Sequence, residues 1–188
     1  FVFNKFRYKL ILMLSKSKIQ TQKLAIRLAK NILRANRPAA HGEPRLQREP
    51  NRRATVLALR GDLGAGKTTF VQGFMKALGV KHRITSPTFV IFRNYPLKSH
   101  VSNVARQMFN NAYHFDLYRI HKPKELLDLG FQKILKDPHA IVLIEWPERV
   151  KKILPKNIIL LNFKHGKNEK ERIINITEYH EEIITYRR

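Results

Sequence analysis

The residues best equipped for chemistry stand together at Gly61-Asp62-Leu63-Gly64-Ala65-Gly66-Lys67-Thr68. They meet the pattern G-x-x-x-x-G-K-[ST] at every fixed position. Gly61, Gly64 and Gly66 tolerate positive φ and let the backbone approach a phosphate closely. The amides of such a loop point inward as an anion-binding nest, and the positive end of a following helix adds to it. Lys67 then serves as a point charge for the β and γ phosphates, and Thr68 offers a hydroxyl to Mg²⁺. The flanks separate this reading from a chance glycine-rich turn. An apolar strand, Thr55–Leu59, leads in, and a helix, Thr68–Leu78, leads out to a capping Gly79.

Two carboxylates complement the loop. Ile141-Val142-Leu143-Ile144 is a continuous apolar run that ends in Glu145. A parallel strand would deliver that acid to a nucleotide crevice, where it holds Mg²⁺ or polarises water; otherwise it is an ordinary strand-end acid. Trp146, the only tryptophan, either stacks on a base or packs in the core. In His114-Phe115-Asp116-Leu117-Tyr118-Arg119, Phe115 and Leu117 share one face of a strand and Asp116 takes the other. Asp116 orients water or metal, or else forms a salt bridge with Arg119. The hydroxyls of Thr85-Ser86-Pro87-Thr88 either sense a γ-phosphate or belong to a turn set by Pro87. The chain has no N-K-x-D signature of guanine recognition, which favours adenine.

The elements that must position these groups alternate between helix and strand. Residues 16–34 carry Leu24, Leu28 and Ile32 at helical spacing, with Ser17 or Thr21 as the cap. Strands are expected at Thr88–Phe92, Ala112–Leu117, Ala140–Ile144, Ile158–Phe163 and Arg172–Thr177. Short helices are expected at Pro123–Leu129 and Phe131–Leu135. This is an α/β pattern. The stretch 35–53, with Pro38, Pro44, Pro50 and many arginines, reads as an exposed Arg-rich loop, and 96–111 as a polar loop. Residues 1–14 are expected to be a poorly ordered or non-native extension, with Met13 as the natural start, before one domain over 15–188.

Composition narrows the field. In 188 residues, 37 Lys+Arg against 14 Asp+Glu leave a net charge of +23. Of this, +13 falls in residues 1–60. Such a surface attracts nucleic acid, nucleotides or an acidic partner, unless it serves only solubility. The absence of cysteine excludes a disulfide scaffold and a thiol nucleophile. No apolar run is long enough to span a membrane.

Taken in order, G-D-L-G-A-G-K-T-T-F at 61–70, S-P-T at 86–88, H-F-D-L-Y-R at 114–119 and L-I-E-W-P at 143–147 resemble the TsaE (YjeE) family of P-loop ATPases. That family acts in the biosynthesis of threonylcarbamoyladenosine in tRNA. The resemblance implies a P-loop NTPase-like, three-layer α/β domain with a mixed parallel and antiparallel sheet. It implies binding and slow, Mg²⁺-dependent hydrolysis of ATP in the cytoplasm. The partner would be the TsaB–TsaD complex, which modifies adenosine 37 and is reset by hydrolysis, with tRNA met indirectly or through the basic surface. By motif, Leu63 to Thr68 hold phosphates, Thr68 and Glu145 hold Mg²⁺, and Asp116 is the catalytic acid beside Glu145 and Lys67. Trp146 lies near the nucleotide, Thr21 near the base, and Arg172 supplies a basic nucleotide contact. The chain departs from the family pattern at Phe92-Arg93-Asn94-Tyr95, which lacks an acid before the aromatic residue. Two other readings of the loop are a small P-loop kinase and a nucleic-acid-binding ATPase.

Overall fold

The computed structural model describes residues 3–35, 53–97 and 108–184. The Arg-rich stretch, apart from its ends, and most of the 96–111 loop lie outside the described residues. Among the described residues seven strands form one sheet: β1 (Phe3–Ser15), β2 (Thr55–Gly61), β3 (Phe92–Pro96), β4 (Asn111–Asp116), β5 (Ala140–Glu145), β6 (Ile159–His165) and β7 (Arg172–Ile184), in the spatial order β1-β7-β6-β2-β5-β4-β3. Strands β6, β2, β5 and β4 run parallel, while β3 on one side and β7 and β1 on the other run antiparallel to their neighbours.

The period-2 alternation of the central strands divides their side chains between two apolar layers. Leu57, Leu59, Ile141 and Leu143 face helices α1 (Lys18–Ala35) and α2 (Lys67–Leu78). Val56, Val142, Ile144 and Phe115 face the other way, toward α3 (Lys124–Leu127), α4 (Phe131–Lys136) and the 3₁₀ segment Pro147–Ile153. Every residue of β5 is buried, as its unbroken apolar run requires of a strand covered on both faces. The three-layer, mixed-sheet architecture expected from the motifs is the one observed.

Helix α1 buries Thr21, Ala25, Leu28, Ala29, Ile32 and Leu33, a stripe at helical spacing. Ser17 caps it. The Gln20 amide donates to Ser17 Oγ at 3.2 Å, and the Gln20 side chain accepts from the Lys16 amide at 2.8 Å, a close relative of the capping box. Thr21 is therefore not the cap; it sits inside the helix, its hydroxyl 2.8 Å from that of Ser15. Helix α2 ends as expected. Gly79 takes φ 89° and donates to Lys76 O while Val80 donates to Met75 O, the paired bonds of a Schellman motif.

Phe3–Ser15 forms β1 and pairs along all of β7, from Phe3 opposite Ile184 to Ser15 opposite Arg172. Strand β7 outruns β6, whose pairing with it stops at Glu178, and β1 occupies the backbone groups of its free edge. The strand expected at Thr88–Phe92 is corrected. These β-prone residues make a turn, in which the Val90 amide donates to Pro87 O at 2.9 Å and Ile91 adopts φ 66°. The strand begins only at Phe92. Local turn bonds and the hydroxyl contacts described below outweigh β propensity, which is a weak, context-bound preference.

Close contact between α1 and α2 depends on Gly73. A Cβ at this position would lie 2.5 Å from Gln22 O and 2.7 Å from Gln22 Cα. Both atoms are backbone, so no side-chain rotation can make room. Gly73→Ala is expected to destabilise the fold by roughly 1–3 kcal/mol, despite alanine's better helix propensity. Chemical denaturation of the variant checks this, and unchanged stability would mean that α1 shifts without cost.

Candidate nucleotide-binding site

The parallel strands deliver their chemistry to one edge of the sheet. Gly61 ends β2, Glu145 ends β5 and Asp116 ends β4, with Leu59 and Asp116 both in register with Glu145. A cleft of about 340 Å³ opens there, lined by Leu63, Gly64, Gly66, Lys67, Thr68, Thr69, Ser86, Thr88, Asp116, Tyr118, Glu145 and Trp146. It lies outside the carboxyl ends of parallel strands, where open α/β sheets bind ligands.

The loop between β2 and α2 has the backbone that its glycines permit. Gly61 takes φ 146°, and a Cβ there would collide with Phe163 O of β6. Gly66 takes φ 96° at the cap of α2 without a side-chain partner for the helix amides, so those amides are available to an anion. Lys67 Nζ donates to Gly61 O at 2.6 Å and Asp62 O at 2.8 Å and lies 4.0 Å from the centroid of the Trp146 ring. Burial depresses the Lys67 pKa, while Glu145, Glu148, Asp116 and Asp62 pull it upward. The ammonium is thus held in a poorly solvated place that an anion would compensate.

Glu145 is almost fully buried. It accepts from Thr68 Oγ1 at 2.9 and 3.0 Å and from His114 Nε2 at 2.9 Å. Asp116 is engaged at both oxygens. Its Oδ1 accepts from the Tyr118 amide at 3.0 Å, and its Oδ2 accepts from Thr88 Oγ1 at 2.6 Å and from the Ser86 hydroxyl. The Ser86-Pro87-Thr88 segment is therefore both a turn and a hydroxyl clamp on Asp116. No salt bridge joins Asp116 to Arg119, whose guanidinium lies over Phe89 instead, 4.4 Å from the ring centroid.

Most of the expected residues converge. Leu63, Gly64, Gly66, Lys67, Thr68, Asp116, Glu145 and Trp146 share the cleft, while Ala65 is buried in the apolar layer beneath the loop. Trp146, with φ 62°, stands on its wall, 5.1 Å from the Tyr118 ring centroid, and also packs against the apolar layer of Val142 and Ile144. Arg172 reaches the loop from behind: Nη2 donates to Gly64 O at 2.9 Å, and Nη1 to Glu171 O at 2.7 Å. Thr21 does not line the cleft; it is buried in α1 against Ser15. His114, which no motif singles out as a site residue, also reaches the site through Glu145. Its position two residues before Asp116 on one strand was the available signal, since i and i+2 share a face.

The donor set suits magnesium. Among the described residues no group of three or more His, Asp or Glu side chains is placed to hold a metal by itself. A carboxylate and a hydroxyl in contact beside a phosphate nest are hard oxygen ligands of the number that Mg²⁺ takes from protein when phosphates and waters complete its shell.

Comparison with known proteins agrees with this geometry. The chain is 38% identical to the tRNA threonylcarbamoyladenosine biosynthesis protein TsaE of Haemophilus influenzae over 113 residues, 60% of this chain and 65% of the relative. It therefore matches just under two thirds of that relative's length. It is 37% identical to the Rickettsia typhi protein of the same name over 61% of this chain and 72% of the relative. For the Bacillus subtilis protein of that name the figures are 35%, 62% and 66%. The crystal structure of Bacillus subtilis YdiB shares the fold, with a TM-score of 0.63 at 23% identity over 92% of this chain and 87% of that one. The model of the family described as "Threonylcarbamoyl adenosine biosynthesis protein TsaE" matches residues 15–174, a span that contains every residue of the cleft, and the chain belongs to the TsaE family.

Proposed function

We propose that this chain is a Mg²⁺-dependent ATPase that serves N6-threonylcarbamoyladenosine formation at position 37 of tRNA by acting on the TsaB–TsaD complex in the cytoplasm. The observation that carries this reading is the contact of Thr68 with Glu145, 2.9 Å apart, in front of a complete phosphate loop. Family membership supports the pathway, and the loop supports the nucleotide.

The division of labour follows from the groups present. Amides of Leu63 to Thr68 hold the phosphates, and Lys67 gives up its two carbonyl partners to set its charge against them. Thr68 and Glu145 would hold Mg²⁺, which offsets the phosphate charge that grows during cleavage. Asp116 aligns the attacking water. Oδ1, with a single hydrogen bond, retains a lone pair for that water's proton, while Ser86 and Thr88 keep the carboxylate from rotating. Trp146 and Tyr118 wall the nucleotide, and Arg172 braces the loop through Gly64 O. Hydrolysis yields ADP and phosphate and lets the partner complex begin another cycle. The net charge of +23 supports a further attraction to tRNA or to an acidic partner face.

Three substitutions test this reading. Lys67→Ala removes a charge-assisted contact, so ATP affinity is expected to fall by about 2 kcal/mol, roughly thirtyfold in Kd, in a calorimetric titration. Wild-type hydrolysis by this variant would refute the loop assignment.

Glu145→Gln and Asp116→Asn keep shape and remove charge. Both are expected to retain nucleotide binding and to lose about two to four orders of magnitude in kcat. The pathway itself is tested by ATP-dependent co-purification with TsaB and TsaD. Transfer of labelled γ-phosphate to a small acceptor would instead indicate a kinase, and stimulation by nucleic acid alone a nucleic-acid-dependent ATPase.

A further inference from the structure

His114 occupies a costly position. It is completely buried on β4, and its Nδ1 is one of the buried side-chain atoms among the described residues that lack any hydrogen-bond partner. Its other nitrogen, Nε2, lies 2.9 Å from Glu145 Oε1. A carboxylate beside a ring nitrogen accepts the hydrogen bond, so Nε2 is the donor and Nδ1 is the atom left without a partner. A side chain needed only to fill space would avoid the buried unpaired nitrogen, as an aliphatic or phenyl group does. The arrangement makes sense if the value of the ring lies in what Nε2 does.

What Nε2 does is set one torsion. The terminal torsion of a glutamate is soft and roughly two-fold, so packing at the end of β5 does not by itself orient the carboxylate. The His114 bond anchors Oε1 from the strand side. The carboxylate plane then meets Thr68 Oγ1 with both oxygens, at 2.9 and 3.0 Å. The sheet makes the anchor rigid. Strands β4 and β5 are paired in parallel register, with His114 opposite Leu143 and Asp116 opposite Glu145. One strand thus presents His114 behind Glu145 and Asp116 beside it.

We propose that His114 is a positioning residue that orients the Glu145 carboxylate as a magnesium ligand together with Thr68. This rests on the reading of Thr68 and Glu145 as the metal-holding pair. Partners that orient a metal ligand commonly contribute ten- to a hundredfold to metal affinity or activity.

The test uses the full chain with a non-hydrolysable ATP analogue and Mn²⁺ as the probe, read by electron paramagnetic resonance. His114→Leu removes the donor, His114→Gln restores one near the place of Nε2, and His114→Asn carries one too short to reach. Expected are a ten- to hundredfold weaker Mn²⁺ affinity for the Leu and Asn variants and near wild-type affinity for the Gln variant. Affinity for the analogue in EDTA should be unchanged in all three. If His114→Leu does not fold, the contrast between the Gln and Asn variants decides. Equal, wild-type Mn²⁺ affinity in the folded variants would overturn the proposal and leave His114 as packing. Glu145→Gln is the control that separates the two readings. If it leaves Mn²⁺ affinity unaltered, the metal assignment itself fails. If it weakens Mn²⁺ binding while the His114 variants do not, only the positioning role fails.

Discussion

The contact between the buried carboxylate of Glu145 and the hydroxyl of Thr68 ties the rest of the site together. Glu145 ends β5, all of which is buried, and Thr68 stands in the first turn of the helix that follows the phosphate loop. Their hydrogen bonds join β5 to α2 across the cleft, and His114 extends the chain of bonds to β4. A carboxylate kept so nearly out of water needs partners for its lone pairs. Three elements therefore have to agree in position for this one group to be satisfied.

The loop is held from two further sides. Gly61 packs against the backbone of Phe163 on β6, closer than any side chain would allow, and Arg172 at the start of β7 bonds Gly64 O while its aliphatic part lies against Gly66. His165 Nε2 stands 3.4 Å from Leu63 O. The hairpin of β6 and β7 thus braces the loop through its carbonyls, at Leu63 O and Gly64 O. Pairing of β1 along β7 extends the sheet beyond this hairpin.

Asp116 illustrates how a turn serves a site. Ser86 and Thr88 bring their hydroxyls to one oxygen, and the Tyr118 amide holds the other. The chain then has to reverse quickly into β3, and Ile91, a β-branched residue at φ 66°, takes the strained conformation. Phe89 and Val90 are left exposed at this corner. A segment with the composition of a strand is bent because its hydroxyls have better partners than a ladder would offer.

The sequence by itself determined the phosphate loop, the alternation of strand and helix, the two-sided burial of β5 and the placing of an acid at its end. These are consequences of local patterns: glycine spacing, period-2 and period-3.6 hydrophobicity, and a charged residue closing an apolar run. It also placed Phe115 and Asp116 on opposite faces of β4. Only the tertiary structure decided which neighbours the polar side chains meet. It gave Asp116 two hydroxyls instead of Arg119, turned Arg172 onto the loop's carbonyl, set Thr21 against Ser15 away from the cleft, and put His114 behind Glu145. It also made a strand of Phe3–Ser15 and a turn of Thr88–Ile91. The physical reason is the same in each case. A hydrogen bond between residues such as Thr68 and Glu145, or Ser86 and Asp116, depends on strand register and helix packing. Neither is encoded in any short window, because both are set by burying two apolar layers on a single sheet.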